Sequence, residues 1–181
     1  MSLKAFFASL AVVAGLTVAG SAQAAVQVVS VSGAVASATF DNAFNVGDGG
    51  IITGLRVGPG AFTHDVYFDV ATGTGGGVTG TPNTLQIGST TIFDVTGLTY
   101  QVFDAVTNLA ITGVQSASSL LTFAAGPGGS YFVQFAGVAS GLMGGNYTAN
   151  IAITPIPAAV LLMAPALAGL GFAGYRRRKT A

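Results

Sequence analysis

The sequence has no cysteine, no tryptophan and no glutamate, and it has a single histidine among 181 residues. The absence of cysteine excludes a disulfide-stapled miniprotein, a cysteine-ligated zinc or iron–sulfur site and a thiol nucleophile. Charged residues make up 7% of the chain, against about 25% in an average soluble domain. Hydrophobic residues make up 51%, which excludes disorder of the highly charged kind.

The few charges are distributed unevenly, although they sum to zero. Five of the six basic residues lie in the terminal segments, whereas all six acids are aspartates that lie between them. Residues 25–154 carry one arginine against six aspartates, a net charge of −5. Because nucleic-acid binding needs a basic surface, we expect no nucleic-acid partner.

The N-terminus has the pattern of a secretory signal peptide. A short basic start ending at Lys4 precedes an apolar run over residues 5–20, and small residues follow, with alanine at Ala22 and Ala24. This pattern predicts a signal peptide over residues 1–24 that signal peptidase removes by cleavage before Ala25. A retained membrane anchor and a buried helix are the alternatives.

The C-terminus has the pattern of a short membrane helix. Residues 158–175 carry no charge, and they would span about 27 Å as a helix, just short of a hydrocarbon core of about 30 Å. We expect the basic cluster that follows to stay on the cytoplasmic side and to stop transfer. That cluster consists of Arg176, Arg177, Arg178 and Lys179.

A short proline motif precedes this segment. Pro155, Ile156, Pro157 and Ala158, followed by the apolar stretch and the basic cluster, resemble the PEP-CTERM protein-sorting tail in its Val-Pro-Leu-Pro-Ala variant. Ile156 replaces leucine, and Thr154 departs from the valine. The resemblance covers about 26 of the 181 residues. It implies that an exosortase cleaves near the motif, after which the protein reaches the cell surface or extracellular matrix. A plain tail anchor is the alternative.

Between the two ends, alternating hydrophobicity predicts β-strands. Period-2 alternation covers residues 66–70, 98–102 and 147–153. Other apolar or β-branched runs cover residues 26–31, 35–40, 51–57, 84–87, 90–95, 109–112, 119–123 and 131–136. These segments predict eight to ten short strands in one all-β domain over residues 25–153, an antiparallel β-sandwich or jelly roll. We expect helix only in the two terminal segments, and we assign residues 154–181 to the sorting tail.

Glycine- and proline-rich clusters separate many of these runs and predict turns. They cover residues 48–50, 59–60, 73–77, 81–83, 126–129 and 144–146. Phe62, Asp65 and Phe68, together with the closing residues 144–147, resemble the FxDxF group of PEP-CTERM proteins. The spacing departs from that group because two residues separate Phe62 from Asp65. This resemblance bears on fold and sorting alone.

The titratable residues do not form a recognisable catalytic set. His64 and Asp65 are adjacent, so on a strand their side chains point to opposite faces, and we expect His64 to face solvent or a turn. A glycosidase needs two carboxylates about 5 to 9.5 Å apart. Asp65 and Asp69 share a strand face about 13 Å apart, while Asp94 and Asp104 belong to neighbouring runs. We therefore expect no enzyme activity and no catalytic residues.

Calcium is the metal that the sequence could hold. Asp41, Asn45 and Asp48 lie in a glycine-ended loop, and calcium takes six to eight oxygen ligands. The loop lacks the bidentate glutamate of an EF-hand, and Asp and Asn are also common turn residues. No other cofactor is expected.

The sequence therefore predicts an exported, non-enzymatic protein of the cell surface or extracellular matrix. Its processing partners are signal peptidase and an exosortase, and its intermediate is held in the inner membrane by the C-terminal helix. The alternative is a polysaccharide- or calcium-binding sandwich with a plain membrane anchor. Tyr67, Tyr100 and Tyr131 are the candidates for stacking on sugar rings, and a cluster of exposed aromatics on one sheet face would indicate that function.

Overall fold

The computed structural model describes residues 25–71, 74–125 and 128–155, which form twelve β-strands and no helix. The strands are β1 (Val26–Ser32), β2 (Val35–Thr39), β3 (Gly49–Val57), β4 (Gly60–Val70), β5 (Thr74–Asn83), β6 (Leu85–Ile87), β7 (Thr90–Phe93), β8 (Val95–Asp104), β9 (Gln115–Ser116), β10 (Leu121–Ala124), β11 (Gly129–Ala139) and β12 (Gly144–Pro155). The predicted signal peptide and residues 156–181, with the predicted membrane span, lie outside the described residues. No helix in the described ranges is long and apolar enough to cross a membrane.

The strands form two five-stranded sheets and a small hairpin. The first sheet has the order β1-β3-β12-β5-β10, and the second has the order β2-β4-β11-β8-β9. Strands β6 and β7 pair with each other. The inner faces of the two large sheets enclose one hydrophobic core. The prediction of an all-β, two-sheet domain is confirmed, and the three alternating segments lie within β4, β8 and β12.

The prediction that all pairs are antiparallel is wrong for two pairs. Strand β1 runs parallel to β3, and β2 runs parallel to β4. Gly33, with φ +133°, turns the chain from the first sheet into the second, so β1 and β2 lie at the edges of different sheets. Because no tight hairpin connects either strand to its partner, nothing in the local chain imposes an antiparallel direction.

Three glycine- and proline-rich clusters that predicted turns lie inside strands: residues 144–146 begin β12, and the other two belong to β5. Residues 74–77 and 81–83 belong to β5, which is hydrogen-bonded to β12 and β10. The glycines serve packing here, since a Cβ on Gly76 would lie 2.4 Å from the Phe123 ring. Residues 109–112 were predicted as a strand, yet they form only an isolated bridge between Ala110 and Phe103.

The core combines large aromatic side chains from both sheets with inward-facing glycines of the first sheet. The second sheet turns large side chains inward, namely Phe62, His64, Phe68, Tyr100 and Phe135. Four inward glycines of the first sheet each face an aromatic ring: Gly50, Gly54, Gly76 and Gly80. The rings at Gly54 and Gly76 are Tyr147 and Phe123 of the same sheet, and only those at Gly80 come from the second sheet. The missing Cβ atoms leave room for these rings in a close-packed core. Many glycines of this chain are therefore core positions rather than turn positions.

Candidate functional site

The single histidine is a buried core residue. His64 is 0% exposed, and its Nδ1 lies 3.0 Å from the Tyr147 hydroxyl while its Nε2 lies 3.1 Å from the Gly33 carbonyl oxygen. Because a carbonyl only accepts, Nε2 donates to Gly33 and the Tyr147 hydroxyl donates to Nδ1. Burial lowers the pKa of His64, which keeps the imidazole neutral.

The prediction that His64 faces solvent or a turn is therefore wrong. The signal was present in the sequence, since His64 lies two residues before Val66 and in phase with the inward positions of β4. Adjacent Asp65 lies on the outer face, as the alternation predicted, and its carboxylate accepts a hydrogen bond from the Gln134 amide at 2.9 Å. The two side chains do not meet.

The other candidate aspartates, Asp94 and Asp104, stabilise the local structure by accepting hydrogen bonds. Asp94 accepts hydrogen bonds from the hydroxyls of Thr84 and Ser140, each at 2.8 Å, and these bonds lower its pKa. Asp104 accepts from the backbone and side chain of Thr107, which lowers its pKa as well. A glycosidase acid needs a raised pKa, so both shifts run in the opposite direction.

The tyrosine candidates do not form a sugar-stacking platform. Tyr100 and Tyr131 are buried in the core, so these two candidates offer no ring face to a sugar. Tyr67 lies on the outer face of the second sheet, where its ring centroid is 5.1 Å from that of Phe132. Phe132 in turn stacks on Phe103 at 4.9 Å and 6°.

This row of three rings occupies matching positions on β4, β11 and β8. Phe132 is only 7% exposed although it points outward, because its two neighbours flank it on either side. A sugar needs a free ring face for stacking, and the central ring does not offer one. Period-2 phase alone could have placed Phe103 and Phe132 on one face, but their pairing depends on strand order.

The candidate calcium loop is anchored by an aromatic side chain. Phe44 is fully buried in the middle of the loop, whereas Asp41 and Asn45 are exposed. Both carboxylate oxygens of Asp48 accept backbone hydrogen bonds, Oδ1 from Ala25 at 2.9 Å and Oδ2 from Asn45 at 2.7 Å. Within the described ranges, no three histidine or aspartate side chains could hold a metal ion together. Calcium binding stays a prediction that isothermal titration of the chain would test.

The outer face of the first sheet carries many uncharged polar side chains, which we name the polar face, beside the exposed apolar Val28, Leu55 and Val57. One rung runs across four strands through Ser30, Thr53, Thr148 and Thr81, which are register partners. The remaining members of the polar face are Ser32, Thr79, Asn83, Asn146, Asn150 and Thr154. Each alternates with an inward residue, so the pleat turns all of them to one side.

Hydrogen bonds order part of the polar face. The hydroxyls of Ser30 and Thr53 lie 2.8 Å apart, and the Asn83 amide donates to the Thr148 hydroxyl at 3.0 Å. Oδ1 of Asn146 is shielded from solvent and has no hydrogen-bond partner among the described residues. An acceptor of this kind is satisfied when a ligand or water donates to it.

Two shallow depressions lie on the polar face. One of about 430 Å³ is lined by Ser30, Thr53, Asn146 and Thr148, among others. The second, of about 250 Å³, includes Thr79, Thr122, Asn150 and Thr154 in its lining. Hydroxyl and amide groups both donate and accept, and strands about 4.8 Å apart present them at regular intervals. Leu55 also lines the first depression, and Leu120 and Ala152 line the second. The face therefore suits a neutral ligand that has both hydroxyl groups and apolar surface.

No protein-family model matches this chain, and no curated protein matches it significantly. Among solved structures, it is similar to the Aeromonas hydrophila protein PliG, a periplasmic lysozyme inhibitor of g-type lysozyme. The sequence identity is 14% and the TM-score is 0.43, with 72% of this chain and 100% of that chain covered. A TM-score this low does not establish a common fold, so the inhibitor's partner says nothing about the partner of this chain.

Proposed function

We propose that this chain is an exported, non-enzymatic protein of the cell surface or extracellular matrix, and that its polar face binds the neutral polysaccharide of that matrix. The observation that carries the proposal is the rung of hydroxyls across β1, β3, β12 and β5. The whole face is uncharged, which favours a neutral polymer over a charged ligand.

The chemistry of the polar face matches a repeated hydroxyl ligand. Each threonine or serine hydroxyl donates one hydrogen bond and accepts others, as a sugar hydroxyl does. The two depressions lie on the same face, so one polymer chain has more than one place of contact. Individual contacts without aromatic stacking are weak, but repeated contacts along a polymer raise the overall affinity through effective concentration.

The proposed route to the matrix uses both ends of the chain. Signal peptidase cleaves before Ala25, and an exosortase then acts at the motif of residues 155–158 while residues 158–175 hold the chain in the inner membrane. Strand β12 continues through Thr154 and Pro155, which pair with Gly75 and Thr74. The motif therefore begins directly where the sandwich ends, and cleavage after it would leave all twelve strands intact.

Co-sedimentation with neutral exopolysaccharide isolated from the producing cells tests the binding. The double variant Thr53→Val and Thr81→Val removes two hydroxyls from the rung and keeps the side-chain shape. We expect it to bind about tenfold more weakly than the unchanged chain, since each hydrogen bond contributes about 0.5–1.5 kcal/mol. Binding of the unchanged chain should not respond to salt, because no charge is involved.

The matched control is the double variant Thr39→Val and Thr63→Val, which changes two threonines on the outer face of the second sheet. It should bind as the unchanged chain does. Equal binding by both double variants, or binding that high salt abolishes, would contradict the role of the polar face.

Intact-mass measurement of the protein from its own cells, with and without the exosortase, tests the sorting. We expect the mature protein to lack Arg176, Arg177, Arg178 and Lys179 only when the enzyme is present. A mature species that retains this cluster in both strains would instead indicate a plain tail anchor.

A further inference from the structure

The first described residue of the chain is bound by a side chain 23 positions further along. The Ala25 nitrogen lies 2.9 Å from Oδ1 of Asp48. The second oxygen of the same carboxylate accepts a hydrogen bond from the backbone N–H of Asn45 at 2.7 Å. The backbone of Gly49 donates to the Ala25 carbonyl at 2.9 Å, so Ala25 is held on both its nitrogen and its oxygen.

The carboxylate is fixed in place by the central strand of the sheet. Gly47 donates to the Ile153 carbonyl, and Ile153 donates to the Asp48 carbonyl, each at 2.9 Å. Asp48 therefore sits on β12 through its own backbone, while its side chain reaches the start of β1. None of these backbone contacts involves a residue before Ala25, so we expect the acceptor to be preorganised.

We propose that Asp48 is the binding site for the α-ammonium group that signal peptidase creates at Ala25. This inference rests on the proposed export of the chain. In the cleavage step, water adds across the Ala24–Ala25 peptide bond. The Ala24 carbonyl carbon becomes a carboxylate, and the released Ala25 amine takes up a proton to become an ammonium.

Cleavage thus replaces the peptide N–H of Ala25 by an ammonium group, while the nitrogen atom stays in the same place. The peptide N–H at Ala25 offers one hydrogen to Asp48, whereas an ammonium on the same nitrogen offers a charged donor. The acceptor is charged in both states, so cleavage adds the Coulomb attraction of an ion pair to a hydrogen bond that is already charge-assisted. In the surrounding segments, the one other titratable side chain is Asp41 in the same loop, because residues 26–32, 49–52 and 150–155 contain none.

As a consequence, β1 gains a stabilising ion pair at its start only after signal peptidase has cleaved the chain. Strand β1 is an edge strand of the first sheet, and it carries Ser30 and Ser32 of the polar face. Its first paired residue, Val26, is the register partner of Gly49, next to Asp48. An ion pair at this end of β1 stabilises the edge in the mature protein and adds nothing in the precursor.

The test compares two chains that differ by one residue at the start. One begins at Ala25 and the other at Ala24, and both run to Ala181; each is made with Asp48 and with Asp48→Asn. Unfolding is followed in denaturant with a chelator present, so that calcium cannot occupy the carboxylate. The extra residue moves the ammonium away from Asp48 and restores a peptide N–H in its place.

With Asp48, we expect the folding equilibrium constant of the chain that begins at Ala25 to be about fivefold larger, the upper end for a surface ion pair. High salt should reduce this difference. With Asp48→Asn, the two chains should be equally stable. Equal stability with Asp48, or a difference that persists with Asp48→Asn, would overturn the proposal.

The N-terminal sequence of the protein exported by its own cells separates this inference from the proposed function. A mature chain that starts at Ala25 supports both. A different start contradicts the cleavage position and leaves Asp48 without its ammonium in the cell. The stability comparison still reports independently on whether the carboxylate favours an ammonium at Ala25.

Discussion

His64 and Tyr147, which are 83 residues apart in the sequence, form a hydrogen bond of 3.0 Å in the core between the two sheets. His64 lies on β4 of the second sheet, and Tyr147 lies on β12 of the first. Phe62 stacks on the Tyr147 ring with the centroids 5.6 Å apart and the planes at 8°. This polar pair is fully hydrogen-bonded inside an aromatic cluster, so it ties the two sheets together in one relative position.

Removal of the Tyr147 hydroxyl should destabilise the protein. In Tyr147→Phe, Nδ1 of His64 loses its donor in the core, which costs about 1–3 kcal/mol of the free energy of unfolding. Chemical denaturation measures this loss. Tyr67→Phe is the control, since Tyr67 is half-exposed on the outer face of the second sheet. Equal stability of the two variants would show that the buried hydrogen bond contributes nothing.

Stability should depend on pH through the single histidine. Burial lowers the pKa of His64 in the folded chain below the ordinary value of about 6.5 that the unfolded chain has. The unfolded state therefore binds more protons, and the stability present above pH 6.5 is lost as the pH falls toward the folded pKa.

Urea unfolding at about pH 7.5 and about pH 5.5 measures this effect, and the lower pH should give the smaller free energy of unfolding. The chain has no other histidine and no glutamate, so apart from the α-amino group only His64 titrates near this window. In His64→Gln this difference should vanish. A difference that survives the substitution would contradict the role of His64.

Gly54 should tolerate no side chain. A Cβ there would lie 1.9 Å from Cε1 of Tyr147, whose ring lies across the neighbouring strand. Gly54→Ala should cost about 1–3 kcal/mol or more, because the core must shift to admit the methyl group. The control is Gly113→Ala, where nothing lies within 4 Å of the added atom. Similar melting temperatures for both variants would contradict the packing described for Gly54.

We predict that the hydrogen bonds of Asp94 hold the β6–β7 hairpin against the end of β11. Its carboxylate accepts the hydroxyls of Thr84 and Ser140, which lie on opposite sides of it in the sequence. Asp94→Ala should lower stability by about 1 kcal/mol, as expected for lost hydrogen bonds at a partly exposed site. Amide hydrogen exchange in residues 85–93 should become faster than in Asp41→Ala. Unchanged exchange in both variants would exclude this role.

Several features of the domain follow from the sequence because they are local. The strand period is a property of consecutive residues, so residues 66–70 and 147–153 were recognisable as strands, and Asp65 was placed on an outer face. The same period placed Phe68 and Val66 inward, and it would have placed His64 inward had the strand been extended by two residues. All-β architecture is predictable for the same reason.

A glycine-rich segment does not by itself predict a turn, for a physical reason. A position requires glycine either because the backbone must turn or because a neighbouring side chain leaves no room for a Cβ. The sequence alone does not distinguish these two causes. At Gly76 and Gly54 the cause is an aromatic ring, contributed by a residue distant in the chain. The turn expected at residues 74–77 is accordingly a strand.

The sequence by itself determined most of the strands, though not β5, and it determined which of their side chains share a face and that the chain has few groups for chemistry. Only the tertiary structure decided the order β1-β3-β12-β5, which aligns Ser30, Thr53, Thr148 and Thr81 in one rung. It also decided the meeting of Asp48 with Ala25. The reason is that strand order and register depend on the fit between side chains far apart in the chain, and no local pattern contains that fit.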